Sequence, residues 1–176
     1  LDLRQESTLH THVVTQIVSL GVIGDYEVLD EASRIQFLSD QIESGNRPDF
    51  KVEELTEDNQ KTFDLFQTIY EMRNEISARC IGSYVISMTH TASHIMEVMY
   101  LAYLVGLAGK KDQAYFCDIE ISPLFETIDD LAHIDIVLDT MLQNTTYRGL
   151  LAQSGNRQEV MLGYSDSCKD GGIVSA

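Results

Sequence analysis

Phe116-Cys117-Asp118-Ile119-Glu120-Ile121-Ser122-Pro123-Leu124-Phe125-Glu126-Thr127-Ile128-Asp129-Asp130-Leu131 is the stretch of the chain whose reading decides the fold. Its opening part is rich in the aromatic and β-branched side chains that suit a pleated, buried surface, so residues 116–122 are predicted to be a strand. Beyond it the apolar spacing becomes helical through Leu131, Ile134, Leu138 and Met141. Thr127, with Asp130 three residues on, makes a capping pattern at the start of that helix. Glu126 is left standing between a strand and the helix that follows it.

Working outward, the same grammar recurs. Residues 1–4, 83–88 and 159–164 are further short apolar segments that run into polar residues where a helical pattern begins. Helices are expected over 8–20, 31–42, 56–77, 91–107 and 130–142, with a turn at 21–25 and a loop at 44–50 containing Gly45 and Pro48. The glycines between 106 and 109 relieve the end of the fourth helix. Strand, helices, strand, helix, strand, helix, strand is the order of a parallel α/β sheet. About four strands do not close a barrel, so the pattern fits half of an eight-stranded one or a small open sheet. The 176 residues are expected to form one unit.

Composition excludes several function classes. With 28 acidic and 12 basic residues the formal net charge is -16, which argues against a grip on nucleic acid or an anionic membrane. No apolar run approaches the roughly 20 residues of a membrane-spanning helix. Cys80, Cys117 and Cys168 are far apart and form no CxxC pair, which suits a reducing cytoplasm. The Asn144-Thr145-Thr146 triplet reads as incidental, and the absence of Gly-x-Gly-x-x-Gly after any strand leaves dinucleotide binding without support. The opening Leu1-Asp2-Leu3-Arg4 reads as the tail of a strand and residues 170–176 as the start of a helix, so both ends are expected to lie within a longer chain.

Ligands of parallel βα proteins meet the carboxyl ends of the strands. Those exits offer Arg4 to Thr8, then Ser87, Thr89 and His90, then Glu126, and last Ser165, Asp166, Ser167 and Lys169. If the last two strands are neighbours, Glu126 and Asp166 start from backbones about 5 Å apart, close enough to share one hard cation. Magnesium takes one or two carboxylates and leaves other positions for water and substrate oxygens. The plainer alternative is that each acid caps the helix after its strand. Arg4 presents a planar fork suited to phosphate or carboxylate, or else pairs with Asp2 or Glu6. Lys169 could bring positive charge to an anionic reactant, or be a solvated surface lysine. His90 and His94 lie four apart, a spacing able to present two metal ligands on a helix face, but zinc needs a third ligand and none is indicated. His10 and His12 point to different faces, and Cys168 has no accompanying base.

Taken together, several segments resemble the phosphoenolpyruvate carboxylase family. They are Leu1-Asp2-Leu3-Arg4-Gln5-Glu6-Ser7-Thr8, Gly24-Asp25-Tyr26, Ser83-Tyr84-Val85-Ile86-Ser87-Met88, Pro123 to Leu131, and Val160-Met161-Leu162-Gly163-Tyr164-Ser165-Asp166-Ser167-Cys168-Lys169-Asp170, in the family's order. The resemblance implies a helix-rich α/β fold in which this chain is a fragment of a (β/α)8 TIM-type catalytic barrel. It implies that phosphoenolpyruvate and bicarbonate become oxaloacetate and phosphate with Mg2+ or Mn2+, through carboxyphosphate and a pyruvate enolate that captures carbon dioxide. By position, Glu126 and Asp166 match metal ligands, Arg4 an arginine on the substrate phosphate and Lys169 a lysine near bicarbonate. Leu124 and Met161 match an apolar pocket for carbon dioxide.

The resemblance further implies a cytoplasmic, allosterically controlled homotetramer for the full-length enzyme. Leu9 stands where the family pattern has arginine. The family's catalytic histidines, its glycine-rich GRGG loop and its inhibitor site have no counterpart in the 176 residues, so the chain alone is expected to be inactive. Two alternatives stay open. One is a different magnesium-dependent barrel enzyme acting on phosphoenolpyruvate or pyruvate, which a GRGG loop soon after residue 176 would disfavour; the other is a barrel piece without catalysis.

Overall fold

In the computed structural model, residues 2–77 and 81–163 are described. The chain opens with β1 (Leu3–Glu6), α1 (Ser7–Leu20), α2 (Glu31–Ser44) and α3 (Glu57–Glu75). β2 (Ser83–Ser87), α4 (Ala92–Val105), β3 (Ala108–Lys111) and β4 (Ala114–Cys117) follow. The order ends with β5 (Glu120–Phe125), α5 (Ile128–Gln143), α6 (Thr145–Leu151) and β6 (Met161–Leu162). β1, β2, β5 and β6 lie side by side in that order, every pairing parallel, with helices making the connections. This is the expected helix-rich α/β architecture.

The helical layer is organised around α4. Residues on every side of this helix are buried, including Ile95, Met96, Val98, Met99, Tyr100 and Leu101, so it sits inside a core rather than on a surface. α1 and α3 pack on it from one side and α2 and α5 from others. The helix ends at Gly106, whose φ of 92° is the left-handed C-cap that the cluster of glycines foretells. α5 starts as its sequence predicts: Thr127 accepts from the Asp130 amide and Asp130 accepts from the Thr127 amide, which closes a reciprocal cap.

The third predicted strand is misplaced. Residues 114–117 belong to β4, which forms an antiparallel hairpin with β3, and the sheet strand begins only at Glu120 and runs through Pro123 to Phe125. The aromatic run Tyr115-Phe116 belongs to the hairpin, and the chain re-aims between the two strands, where the Asp118 amide donates to Leu107 O at 2.7 Å. Asp112 and Gln113 form the hairpin turn with φ of 50° and 65°, the mirrored turn that matches strand twist, but without the glycine that would have advertised it. α6 was also not foreseen; its cap is Asn144, whose Oδ1 accepts from the Tyr147 amide.

Candidate active site

Strand register determines which side chains share a face, because successive residues of a strand alternate. Arg4 is paired with Val85, and Val85 with Ser122; Leu124 is paired with Met161. Arg4, Val85, Ser122, Leu124, Glu126 and Met161 therefore point to one side of the sheet. Leu3, Tyr84, Ile86, Ile121 and Phe125 point to the other, into the cluster formed with α1, α3 and α4. The helices cover that second face, and the first is the face a closed barrel would turn inward.

At the carboxyl end of this inner face, Arg4 reaches across β2. β1 and β5 are two strand spacings apart, about 10 Å, a span only a long side chain can bridge. Its Nη2 forms an ion pair with Glu126 Oε1. The arginine side chain is 56% exposed and the glutamate 6%, so a buried carboxylate meets a guanidinium that still faces the open side. Glu126 Oε2 accepts the Met88 amide at 3.1 Å. Both oxygens are thus oriented, and among the described residues each accepts from one donor, below the capacity of a carboxylate oxygen. Arg4 does not pair with Asp2 or Glu6, the sequence alternatives; Asp2 accepts from the Ser83 amide and Glu6 from the Thr8 hydroxyl. Nor does Glu126 cap α5, since Thr127 has that position.

Leu124 is buried and its partner Met161 is 41% exposed, so the apolar pair sits directly beneath Glu126 with one member open. Gly163 completes the surround: its amide donates to Phe125 O at 2.8 Å, and a Cβ on it would come within 3.0 Å of Glu126 Cα. Asp166, Lys169 and Cys168 lie outside the described residues. The hard oxygen donors of Glu126 are of the kind that magnesium or manganese takes one or two at a time, so the residue in view suits such an ion. Among the described residues no group of three or more His, Cys, Asp and Glu side chains is arranged to hold a metal.

The histidines have other employment. His90 precedes α4 instead of sharing a helix face with His94, and its Nδ1 hydrogen bonds with Asp130 Oδ1 at 2.6 Å. Burial works against the Asp130 carboxylate, but the bonds from His90 and Thr127 outweigh it and hold its pKa below the ordinary value. His10 is buried under the sheet with Nε2 on the Tyr84 hydroxyl, and burial pushes its pKa down to about 3, with His94 adding to the shift. Cys117 is equally quiet, its thiol pushed up to about 11 chiefly by burial. Sequence reading missed Met88 and the tie between His90 and Asp130. Nothing in the sequence marks Met88, because the feature that matters is a backbone angle.

A parallel βα segment with a buried acid and a guanidinium joined at its strand exits belongs to the class of βα proteins whose chemistry sits at the carboxyl ends of the strands. Comparison with known proteins makes that class specific. The model of the family described as phosphoenolpyruvate carboxylase matches residues 1–176. The phosphoenolpyruvate carboxylase of Parasynechococcus marenigrum (strain WH8102) is 38% identical over 181 residues, covering 100% of this chain and 18% of the relative. That of Rhodothermus marinus is 38% identical over 188 residues, with 100% and 20% covered. The enzyme of Prochlorococcus marinus (strain MIT 9515) is 37% identical over 182 residues, again over all of this chain. The chain belongs to the phosphoenolpyruvate carboxylase family, and it spans about a fifth of the length of these curated relatives.

Proposed function

We propose that the chain is part of the catalytic barrel of a phosphoenolpyruvate carboxylase, which forms oxaloacetate and phosphate from phosphoenolpyruvate and bicarbonate. The observation that carries this reading is the meeting of Arg4 and Glu126 across three strands at the carboxyl end of a parallel sheet. Glu126, with Asp166, would hold Mg2+ or Mn2+. The ion's chemistry is to neutralise charge on phosphoryl and enolate oxygens during transfer.

Arg4, with its exposed fork, binds and orients the phosphate of the reactant, and its pairing with Glu126 keeps that fork aimed at the site before the reactant arrives. Lys169 adds a second positive charge toward bicarbonate. Leu124 and Met161 line an apolar patch beside Glu126 that excludes water from carbon dioxide and the enolate, which favours carboxylation over protonation. In this reading the full-length protein is a cytoplasmic homotetramer, as the family resemblance implies, and the 176 residues alone do not turn over.

The test uses a full-length carboxylase that contains this segment. Glu126→Gln and Asp166→Asn should each lower phosphoenolpyruvate-dependent oxaloacetate formation at least roughly 100-fold, since each removes a charged metal donor. An unaffected rate in either variant removes the metal assignment. Oxaloacetate formation by the purified 176-residue chain would show that this segment needs no other part of the enzyme.

A further inference from the structure

Non-glycine residues with positive φ are Val22, Met88, Asp112, Gln113 and Asn156 among the described residues. Val22 follows α1, Asp112 and Gln113 make a hairpin turn, and Asn156 follows a short 3-10 turn, so local chain reversal accounts for them. Met88 is different. It stands at the carboxyl end of β2, with φ of 53°, and no hairpin or helix cap requires that angle. Left-handed backbone in a residue with a side chain persists where its surroundings over-determine it, and it gathers at sites with a task.

Both polar backbone groups of Met88 are engaged at the site. Its amide donates to Glu126 Oε2 at 3.1 Å, and its carbonyl accepts from Ser7 Oγ at 2.7 Å. Ser7 is wholly buried at the start of α1, one residue beyond β1. The next residue is pinned as well: the Thr89 amide donates to Leu124 O at 3.2 Å and its hydroxyl to Ile86 O at 2.8 Å. The backbone that leaves β2 is therefore stitched on one side to the end of β1 and on the other to β5. Arg4 holds one oxygen of Glu126 and this amide holds the other.

We infer that Met88 is a positioning residue for Glu126: Ser7 fixes its left-handed backbone so that its amide sets the angle at which the carboxylate meets a divalent cation. This rests on the reading of Glu126 as a metal ligand. Groups one step removed from a metal orient its ligands, and their loss typically weakens metal affinity about 10–100-fold. Glycine at position 88 adopts the same φ without strain and keeps the amide, whereas a β-branched residue resists it.

The experiment compares Met88→Gly, Met88→Val and Ser7→Ala with the parent in a full-length carboxylase containing this segment, with Glu126→Gln as a control. Mn2+ binding to the metal-free protein is followed by the loss of the free-ion electron paramagnetic resonance signal, alongside the Mg2+ concentration giving half-maximal rate. Met88→Val and Ser7→Ala should weaken both measures roughly 10-fold with kcat at saturating metal nearly retained, and Met88→Gly should stay within about 2-fold of the parent. If Met88→Val does not fold, Ser7→Ala against Met88→Gly makes the same comparison. Parent-like metal binding in Ser7→Ala, or equal weakening in Met88→Gly and Met88→Val, overturns the inference. Should Glu126→Gln itself leave metal binding and rate unchanged, it is the metal reading that fails; a defective Glu126→Gln with parent-like Met88→Val and Ser7→Ala removes Met88 alone.

Discussion

Glu126 is held by groups from three other parts of the sheet: the guanidinium of Arg4, the amide of Met88 and the bare backbone of Gly163. The first two are attractive and the third is steric. A methyl group at position 163 would lie 3.0 Å from Glu126 Cα and 3.1 Å from its Cγ, and the Cα, being backbone, has no rotamer by which to give way. The strain in Gly163→Ala must therefore be relieved by sliding β6, a strand of two residues, away from β5, which also separates Met161 from Leu124. Overpacking of this kind costs about 1–3 kcal/mol. In a full-length carboxylase containing the segment, Gly163→Ala should lower the urea midpoint and reduce kcat, with the loss of kcat exceeding that of a surface Gly155→Ala control. The control's own strain is conformational, since Gly155 has a φ of 76° but nothing within 4 Å of a Cβ. Equal effects of the two on kcat would show that close approach to Glu126 is immaterial.

At the scale of elements, the packing around α4 encloses a carboxyl group that the chemistry of the site does not use. Glu97 is fully buried on that helix, accepting from the Thr11 hydroxyl of α1 at 2.7 Å and the Tyr26 hydroxyl at 2.8 Å. Burial pushes its pKa up to about 7 against the opposing pull of those two bonds and of Arg34, with Glu31 adding to the rise. Below the ordinary carboxyl value both folded and unfolded chains carry the proton. Between about 4.5 and 7 the unfolded chain ionises while the folded one does not, so stability falls as pH climbs through that window and stays lower above it. Glu97→Gln keeps the shape without the charge and should raise the thermal midpoint more at pH 8 than at pH 5.5, corresponding to a gain on the order of 3 kcal/mol above neutrality. A gain that is equal or larger at pH 5.5 rules out the buried charge as its source. The helices of this layer were legible in the sequence because apolar spacing is a local signal, and α1 to α5 fall close to their predicted bounds. The β3–β4 hairpin was not. Its turn residues Asp112 and Gln113 take the positive φ usually supplied by glycine, and its aromatic Phe116 looks the same whether it serves a hairpin or the sheet. The expected strand stops at Ser122, whereas β5 carries on through Pro123 to Phe125, although proline is ordinarily confined to edge strands and strand ends. Arg4 and Glu126 were legible as strand-exit residues, but their contact was not, because residues 122 positions apart meet only through sheet order.

For the molecule as a whole, the sheet geometry and the charge oppose one another. β1 and β6 are the outer strands of the four-stranded order, and β6 shows Met161 and Leu162 at 41% and 60% exposure. On the inner face Val85, Ser122 and Leu124 are themselves buried, so what an isolated 176-residue chain offers to other copies is its outer strands, with the exposed Met161 and Leu162 on β6. Its net charge of -16 acts the other way by repelling those copies. The repulsion reaches about 30 Å at 0.01 M salt and about 10 Å at 0.1 M, whereas apolar contact is not screened. The isolated chain should therefore sediment closer to a monomer at low salt and associate increasingly as salt is raised, the reverse of an assembly built on ion pairs. Sedimentation velocity across that salt range at fixed protein concentration decides the matter. A single monomeric boundary at every salt concentration would show that the outer strands are satisfied within one copy, and association that weakens with salt would assign the contact to charge rather than to these apolar edges.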